Sequence, residues 1–190
     1  MGKAAATKAL LQERAMALFV RQGFDETTVA QIAEAAGVSQ MTFFRHFPTK
    51  DAVVFDDPYD PAIAAIVAAQ PLGLPAMERV RLGLLAAWGA VPETGDKATR
   101  EKIRLVAGHP RLAACIRENN RRTEDLIVEA LTGTGTVRLE ARVAAGACLG
   151  GLTAALLDWA VEPDGQELGE RMRAALAVMG ESDSAARGER

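Results

Sequence analysis

The sequence predicts an all-α protein with a three-helix head that contains a helix-turn-helix, and a larger helical body, nine to ten helices in all. Apolar residues recur at spacings of three and four along successive segments, which is the period of an amphipathic helix. Glycine and proline separate these segments, and no alternating pattern of the strand type stands out. The 190 residues are 49% hydrophobic, so the chain can bury a substantial core.

The first predicted helix covers residues 4–22 and has one apolar stripe. Leu11, Ala15, Leu18 and Phe19 share a face, and the glycine at position 23 is a residue type that often follows a helix end. Two short helices come next, and a pair of that size cannot bury enough surface to be stable alone. We therefore expect the first helix to pack against both of them.

Residues 27–50 read TTVAQIAEAAGVSQMTFFRHFPTK and predict two short helices joined by a tight turn. A hydroxyl residue stands before each helix as a cap, and Gly37 tolerates the left-handed backbone that follows a helix end. Phe43 and Phe47 are four residues apart, so both rings face inward on the second helix. A helix-turn-helix places its second helix in the DNA major groove. On pattern alone, an ordinary helical hairpin within a bundle is the alternative.

Proline and glycine divide the rest of the chain into further helices. The sequence DDPYDP at 56–61 stops a fourth, short helix, because proline cannot continue one. The predicted helices of the body cover residues 61–69, 76–90, 97–106, 110–131, 137–161 and 164–179. We place a DNA-binding domain at 1–50, a ligand-binding and dimerisation domain at 51–181, and a flexible tail at 182–190.

Charge is distributed unevenly along the chain. The formal net charge is −3, whereas DNA-binding proteins usually carry a basic face. Residues 1–50 nevertheless contain six Lys or Arg and four acidic residues, while residues 51–190 contain 16 basic and 21 acidic residues. The basic excess coincides with the helix-turn-helix. It is small, so we expect few phosphate contacts per subunit and a dependence on dimerisation.

We expect a cytoplasmic protein with reduced cysteines and with no metal, cofactor or membrane partner. The longest uncharged run, 143–157, is shorter than the roughly 20 residues of a membrane-spanning helix, and charged residues interrupt the N-terminus where a signal peptide is apolar. Cys115 and Cys148 stand alone in apolar helical contexts, which favours packed thiols over a disulfide. No metal-ligand spacing, P-loop or nucleophile-elbow motif occurs.

Three features of residues 8–55 occur together: the helix end marked by Phe19, Gly23 and Phe24, the core TTVxxIAxxAGVS, and an aromatic-rich helix followed by FPTK. This combination resembles the N-terminal domain of the TetR family of bacterial transcriptional repressors. The segments TFFRHFPTKDAVVF and RLVAGHPRLAACIREN are similar to the branch that contains the mycofactocin-system regulators. The resemblance implies a homodimer that binds a DNA operator and a small, largely apolar effector, with a long-chain acyl-CoA as one candidate.

The helix-turn-helix and the resemblance together predict the residues that contact DNA. The first residues of the second short helix reach base edges, and the family's phosphate contacts come from a threonine, an aromatic residue, a histidine and a lysine. Phe44 replaces the commoner tyrosine and lacks its hydroxyl. For Arg45 the alternative is an ion pair with an acidic residue, and for His46 it is an ordinary position on the surface. The candidate DNA-binding residues are Thr28, Gln31, Ser39, Gln40, Met41, Thr42, Phe44, Arg45, His46 and Lys50.

The apolar and aromatic residues of the body predict an effector pocket with a few polar groups. Trp88 and Asn119 are the preferred candidates, because a large ring and an amide within apolar helices need a reason. Ordinary core packing is the alternative for each residue taken alone. The candidate ligand-binding residues are Tyr59, Met77, Leu84, Trp88, Ile103, His109, Asn119, Leu152, Leu156 and Trp159.

The predicted helix at 137–161 carries alanine and glycine on several faces. Small residues allow helices to approach closely, as at a dimer interface, and tight packing within one chain is the alternative. The leading hypothesis is a homodimeric, ligand-responsive repressor of a pseudo-palindromic operator, and not an enzyme. The alternative is a DNA-binding dimer with no small-molecule ligand. An enzyme built on His109 with Glu118 or Asp158 lacks any supporting motif.

Overall fold

The computed structural model describes residues 2–55, 60–90, 97–162 and 167–180. These residues form ten helices and no strand, which confirms the predicted all-α fold. Tyr59 and the predicted tail at 182–190 lie outside the described residues. The helices are α1 (Lys3–Gln22), α2 (Val29–Ala35), α3 (Gln40–His46), α4 (Ala52–Phe55), α5 (Asp60–Ala68), α6 (Ala76–Ala90), α7 (Lys97–Gly108), α8 (Pro110–Gly133), α9 (Arg138–Val161) and α10 (Leu168–Gly180).

Most helix bounds agree with the sequence pattern to within a few residues. α6 begins and ends as predicted, whereas α7 and α8 run two residues further, to Gly108 and Gly133. A turn follows α8, and Gly135 in that turn has a φ of 93°, which glycine adopts without strain. Periodicity identifies the body of a helix better than its ends, because the terminal turns depend on local caps.

The first compact unit comprises Met1–Asp56 and Glu101–Ile116. Its core joins the apolar faces of α1 to α4 to the end of α7 and the start of α8. The predicted stripe of α1 is buried, and Phe43 and Phe47 face inward as predicted, with exposures of 0% and 1%. Leu112 of α8 is fully buried in the same core.

This unit extends beyond the predicted DNA-binding domain of residues 1–50 by the segments 51–56 and 101–116. The sequence pattern assigned residues 101–116 to the body, but their apolar side chains complete the core under the short helices. Three short helices and α1 bury little surface by themselves, so a further apolar face stabilises them. The functional limits at 1–50, 51–181 and 182–190 stay a prediction.

The second compact unit comprises Asp57–Arg100 and Arg117–Arg190. Its core contains the inner faces of α5, α6, α8, α9 and α10. α5 and α6 approach so closely at Gly83 that a Cβ there would lie 2.6 Å from the Cα of Val67. On α9, Ala141, Ala144 and Ala145 are buried. The small residues of this face therefore pack within one chain.

Arg79 of α6 is buried in the second unit, with 1% of its surface exposed. Its guanidinium donates to the hydroxyls of Thr134 at 3.1 Å and Thr136 at 3.0 Å, and to the carbonyl of Ala68 at 2.8 Å. Its Nε has no hydrogen-bond partner. Arg79 thus ties α6 to the end of α5 and to the turn between α8 and α9, and the sequence pattern did not identify it.

α9 is the one helix in the described ranges that is long and apolar enough to cross a membrane, by length and composition alone. The core helix of a soluble protein passes the same test. Only 28% of its apolar stretch is buried within the chain, and Leu139 and Val143 are 71% and 56% exposed. The outward face of α9 is therefore open in the single chain.

Both cysteines are free thiols, as predicted. Cys148 is fully buried, and its Sγ lies 3.7 Å from the Sδ of Met77. Burial raises the pKa of the Cys148 thiol to about 11, because a low-dielectric environment disfavours the thiolate. Burial also raises the pKa of Cys115. Neither thiol has the depressed pKa of a reactive cysteine.

Candidate functional site

The connection between α2 and α3 is a short turn closed by backbone hydrogen bonds. Gly37 has a φ of 66°, and the N–H of Val38 donates to the Ala33 carbonyl at 2.9 Å, a bond that commonly closes a helix end. Ser39 then caps α3, because its Oγ accepts the N–H of Thr42 at 3.1 Å. The predicted structural roles of Gly37 and Ser39 are confirmed.

α3 has one buried face and one open face. The ring of buried Phe43 meets the ring of Phe44 edge-on, with 5.5 Å between the centroids. Met41 and Phe44 are 73% and 50% exposed, and Gln40 and Arg45 are exposed beside them. The remaining two candidates on α3, Thr42 and His46, are half-buried. The open face therefore offers an amide, a guanidinium and two large apolar groups, which suit base edges, phosphates and thymine methyl groups.

Thr28 and Gln31 form a capping box at the start of α2. Thr28 Oγ1 accepts the N–H of Gln31 at 3.2 Å, and Gln31 Oε1 accepts the N–H of Thr28 at 2.8 Å. Gln22 of α1 donates to the same Gln31 oxygen at 3.2 Å. Reciprocal bonds of this kind satisfy two backbone donors at the helix start. DNA contacts by Thr28 and Gln31 stay predictions, and both side chains already help to begin α2.

The ammonium group of Lys50 binds the backbone that precedes α2. It donates to the carbonyls of Phe24 at 2.7 Å, Thr27 at 2.9 Å and Asp25 at 3.4 Å, and it lies 4.2 Å from the centroid of the Phe24 ring. Partial burial lowers the pKa of Lys50. An ammonium has three N–H donors, so all three have protein partners here. A phosphate contact by Lys50 stays a prediction, and it requires DNA to replace one of these bonds.

The candidate effector-binding residues divide between the two units. Ile103 and His109 belong to the first unit, and Met77, Leu84, Trp88, Asn119, Leu152, Leu156 and Trp159 belong to the second. Leu84 and Trp159 are 5% and 2% exposed, and the Arg100 guanidinium lies 4.1 Å over the Trp159 ring. Trp88, Leu156 and Asn119 are half-buried. Contact of any of these residues with an effector stays a prediction.

Two side-chain hydrogen bonds join helices within the second unit. Thr123 of α8 is buried and donates to Oδ1 of Asp60 at 2.9 Å. Asn120 donates to the hydroxyl of Thr153 at 2.8 Å. Sequence reasoning did not connect Asn120 and Thr123 with these partners. These partners are 63 and 33 residues away in the chain, so no local pattern connects them.

Two parts of the sequence match known families. Residues 11–56 match the family described as "Bacterial regulatory proteins, tetR family", and residues 74–183, more than half of the chain, match the "MftR C-terminal domain". The chain belongs to the TetR family of bacterial regulatory proteins. This confirms the resemblance found in the sequence, including the branch named by its C-terminal domain. It also makes the protein a DNA-binding transcriptional regulator by family, and not an enzyme.

Individual relatives agree with the family. The regulator TcmR of Streptomyces glaucescens is 35% identical over 127 residues, which cover 63% of this chain and 55% of that protein. The chain therefore spans about half the length of this curated relative. The TetR-family repressor FadR of Thermus thermophilus, solved in complex with lauroyl-CoA, has a TM-score of 0.51 at 24% identity, covering 92% of this chain and 93% of that one. NalD, the secondary repressor of the MexAB-OprM efflux pump of Pseudomonas aeruginosa, has a TM-score of 0.58 at 19% identity, covering 93% and 95%.

The two structural matches share the helical fold with this TetR-family chain, and the N-terminal family match contains α2, the turn and α3. The open face of α3 is therefore the natural candidate for the DNA interface. Within the described ranges no group of three or more His, Cys, Asp or Glu side chains could hold a metal ion.

Proposed function

We propose that this TetR-family regulator is a cytoplasmic, homodimeric repressor that binds a pseudo-palindromic operator and leaves it when a small, largely apolar effector binds. The observation that carries the proposal is the open face of α3, with its capped start and exposed Gln40, Met41, Phe44 and Arg45. A short helix whose ends are fixed and whose outer face is free can enter a major groove.

The side chains of α3 suggest how bases are read. The amide of Gln40 can bond an adenine through two hydrogen bonds, and Met41 can contact a thymine methyl group. Phe44 has no hydroxyl, so it can add only apolar contact. Sequence preference should therefore depend on the first turn of α3, and overall affinity on pairing two heads, because each head carries a small basic excess.

A dimer is supported by the outward faces of α9 and α10. Leu139 and Val143 are one turn apart on α9 and are largely exposed, and Val178 of α10 is 69% exposed. Exposed large apolar side chains on two neighbouring helices are the kind of surface that an interface covers. A two-fold dimer uses the same surface on both subunits, and it would present two α3 helices to two half-sites of one operator.

The effector class is supported by the second unit and by one relative. The predicted residues Met77, Leu84 and Leu152 share one apolar cluster, while Thr123 and Asn120 supply polar groups among the same helices. One relative, FadR of Thermus thermophilus, was solved in complex with lauroyl-CoA, a ligand that joins a long acyl chain to coenzyme A. A long-chain acyl-CoA is therefore the first effector to test.

Operator selection from random duplex DNA, followed by footprinting, tests the DNA part of this proposal. We expect two half-sites related by a two-fold axis, with centres about 10 base pairs apart or somewhat more. Gln40→Ala should lose about 1–3 kcal/mol at one base position of each half-site, while other positions keep their preference. A single asymmetric half-site at saturating protein, or equal losses at every position, would contradict the proposed reading.

A DNA-binding dimer with no small-molecule ligand is the second candidate. It is favoured by the tight burial of Leu84 and Trp159, two residues predicted to contact an effector. Thermal stability in the presence of lauroyl-CoA and other acyl ligands, with and without operator DNA, separates the candidates. An effector that lowers operator affinity must stabilise the free protein more than the DNA complex, by linkage. No stabilisation by any acyl ligand would favour the second candidate.

A further inference from the structure

His109 connects the start of α8 to the residues that precede α2. Its Nε2 lies 3.0 Å from Oδ2 of Asp25, which is 84 residues earlier in the chain. Its Nδ1 accepts the backbone N–H of Leu112 at 3.4 Å. A ring nitrogen that accepts an N–H carries no proton, so this arrangement places the proton on Nε2, which donates to the Asp25 carboxylate. Both ring nitrogens therefore have a defined partner.

Asp25 belongs to the segment 23–28, which runs from the end of α1 to the cap of α2. Within this segment Phe24 is 2% exposed, and its ring meets the His109 ring at 4.9 Å between centroids. Lys50 binds three carbonyls of the same segment. The segment ends at Thr28, whose side chain caps α2. Its backbone is therefore held by Lys50, and its side chains by His109.

The Asp25 carboxylate depends on His109 for its direction. The side chain of Asp25 is 76% exposed, so little else restrains it. The hydrogen bond from His109 lowers the pKa of Asp25, and the nearby charges of Lys50 and Arg111 act in the same direction. The carboxylate stays ionised at neutral pH and is a strong acceptor for the Nε2 proton.

From these contacts we propose that His109 is a positioning residue for operator binding. It holds the segment 23–28, and with it the start of α2, in the orientation that α3 needs to enter the groove, and it does not itself touch DNA. This inference rests on the proposed function, because it concerns operator affinity. It also gives His109 a role other than the effector contact predicted from the sequence.

Two substitutions of His109 separate its two bonds. The amide nitrogen of Gln stands as many bonds from the Cα as Nε2 does, so His109→Gln keeps a donor for Asp25 and loses the acceptor for Leu112. The amide oxygen of Asn corresponds to Nδ1, so His109→Asn keeps the acceptor for Leu112 and loses the donor for Asp25. Both variants are polar and uncharged, which makes them matched controls for each other.

Operator affinity is measured on the full chain by fluorescence anisotropy, with a duplex selected by the wild-type protein. We expect His109→Gln to bind within about twofold of wild type, and His109→Asn and Asp25→Ala each to bind about fivefold more weakly, because the lost bond is charge-assisted but largely exposed. The double variant His109→Asn/Asp25→Ala should be no weaker than either single variant, since both remove the same bond. Arg121→Gln, which breaks an exposed ion pair with Glu118 in the second unit, should bind as wild type does.

Hydrogen exchange supplies a second measurement on the same variants. The backbone amides of Thr27 and Gln31 are bonded to the Phe24 carbonyl and the Thr28 hydroxyl. We expect these amides to exchange faster in His109→Asn and Asp25→Ala than in His109→Gln, with at most a small fall in the thermal midpoint. Faster exchange confined to this segment supports positioning, because general destabilisation would lower the midpoint and raise exchange throughout the unit.

Each other result overturns the proposal in a recognisable way. If His109→Asn binds the operator as wild type does, the inference fails and the proposed function stands. If His109→Gln is as weak as His109→Asn, or if the double variant is weaker by the product of the single effects, the bond to Asp25 is not the cause. If the wild-type protein selects no duplex at all, the proposed function fails and the inference fails with it.

Discussion

The two compact units use a cationic side chain to tie chain segments together, but in different surroundings. In the first unit, half-buried Lys50 binds the carbonyls before α2 and has Asp25 and Asp51 among the charges around it. In the second unit, fully buried Arg79 binds two hydroxyls and one carbonyl. No ion pair of Arg79 is seen among the residues that the structure describes.

The difference lies in what replaces the lost contact when each cation is removed. Lys50 is half-buried, and one of its acceptors belongs to exposed Asp25, whereas Phe24 and Thr27 are buried, so solvent can take over only part of the bonding. Arg79 itself is 1% exposed, so removing it leaves a cavity in the interior, although Ala68 and Thr136 are half-buried and Thr134 is exposed. Substitutions that remove one bond in the first unit should therefore lower the free energy of unfolding by small amounts. Substitutions in the interior of the second unit should lower it strongly.

Arg79→Ala should produce the largest loss of stability. It leaves the Ala68 carbonyl and two threonine hydroxyls without their donor and opens a cavity, so we expect a loss of about 3–5 kcal/mol in the free energy of unfolding, measured with urea. Arg79→Met keeps most of the volume and removes the charge, and it should lose less. A loss from Arg79→Ala smaller than that from Lys50→Met would remove the contrast between the units.

Gly83→Ala tests the close approach of α5 and α6. Its new Cβ would lie 2.6 Å from the Cα of Val67, so one helix must move, and we expect a loss of about 1–3 kcal/mol in unfolding free energy. Gly89→Ala on the same helix is the matched control, because a Cβ there meets nothing within 4 Å. That variant should be stabilised by roughly 0.5–1 kcal/mol, since alanine is the better helix former. Equal effects at the two positions would show that close packing does not explain Gly83.

Lys50→Met should lose about 1 kcal/mol, because three hydrogen bonds from a half-buried ammonium disappear while the Met side chain keeps most of the packing. Operator binding should weaken for all sequences alike, since the segment before α2 loses its backbone support. Lys3, an exposed lysine of α1, is the control, and Lys3→Met should leave the urea midpoint unchanged. If Lys50→Met weakens operator binding with no loss of stability, its ammonium acts on DNA directly.

Asp25→Asn should have the smallest effect, and that effect is present at neutral pH and disappears in acid. Because the pKa of Asp25 is lowered in the folded chain, first of all by the His109 hydrogen bond, the stabilisation is present above its ordinary pKa of 3.8 and is lost as the pH falls through the lower folded value. The free energy of unfolding in urea should therefore fall less steeply between about pH 6 and pH 3 in Asp25→Asn than in wild type.

Asp125 provides the same test in the second unit. A hydrogen bond from Arg142 lowers the pKa of Asp125, so Asp125→Asn should flatten the acid dependence in the same direction. An acid profile of Asp25→Asn that equals that of wild type would show that the bond to His109 contributes nothing to folding.

The sequence predicted those parts of the site that depend on nearby residues. Ser39 and Thr28 are caps because a hydroxyl one position before a helix reaches the free N–H groups two or three residues later, and Phe43 and Phe47 face inward because four residues make about one helical turn. The same reasoning could not foresee that Lys50 binds carbonyls 23 to 26 residues away. It also assigned His109 to an effector site, since nothing local indicated Asp25.

By itself the sequence determined the ten helices to within a few residues, the helix-turn-helix and the family, because helical periodicity and capping act over about four residues. The tertiary structure decided that residues 101–116 complete the first unit, which face of α9 is outward, and which partners hold Lys50, Arg79 and His109. These contacts depend on how distant helices fill space against each other, and close packing joins residues that no short pattern relates.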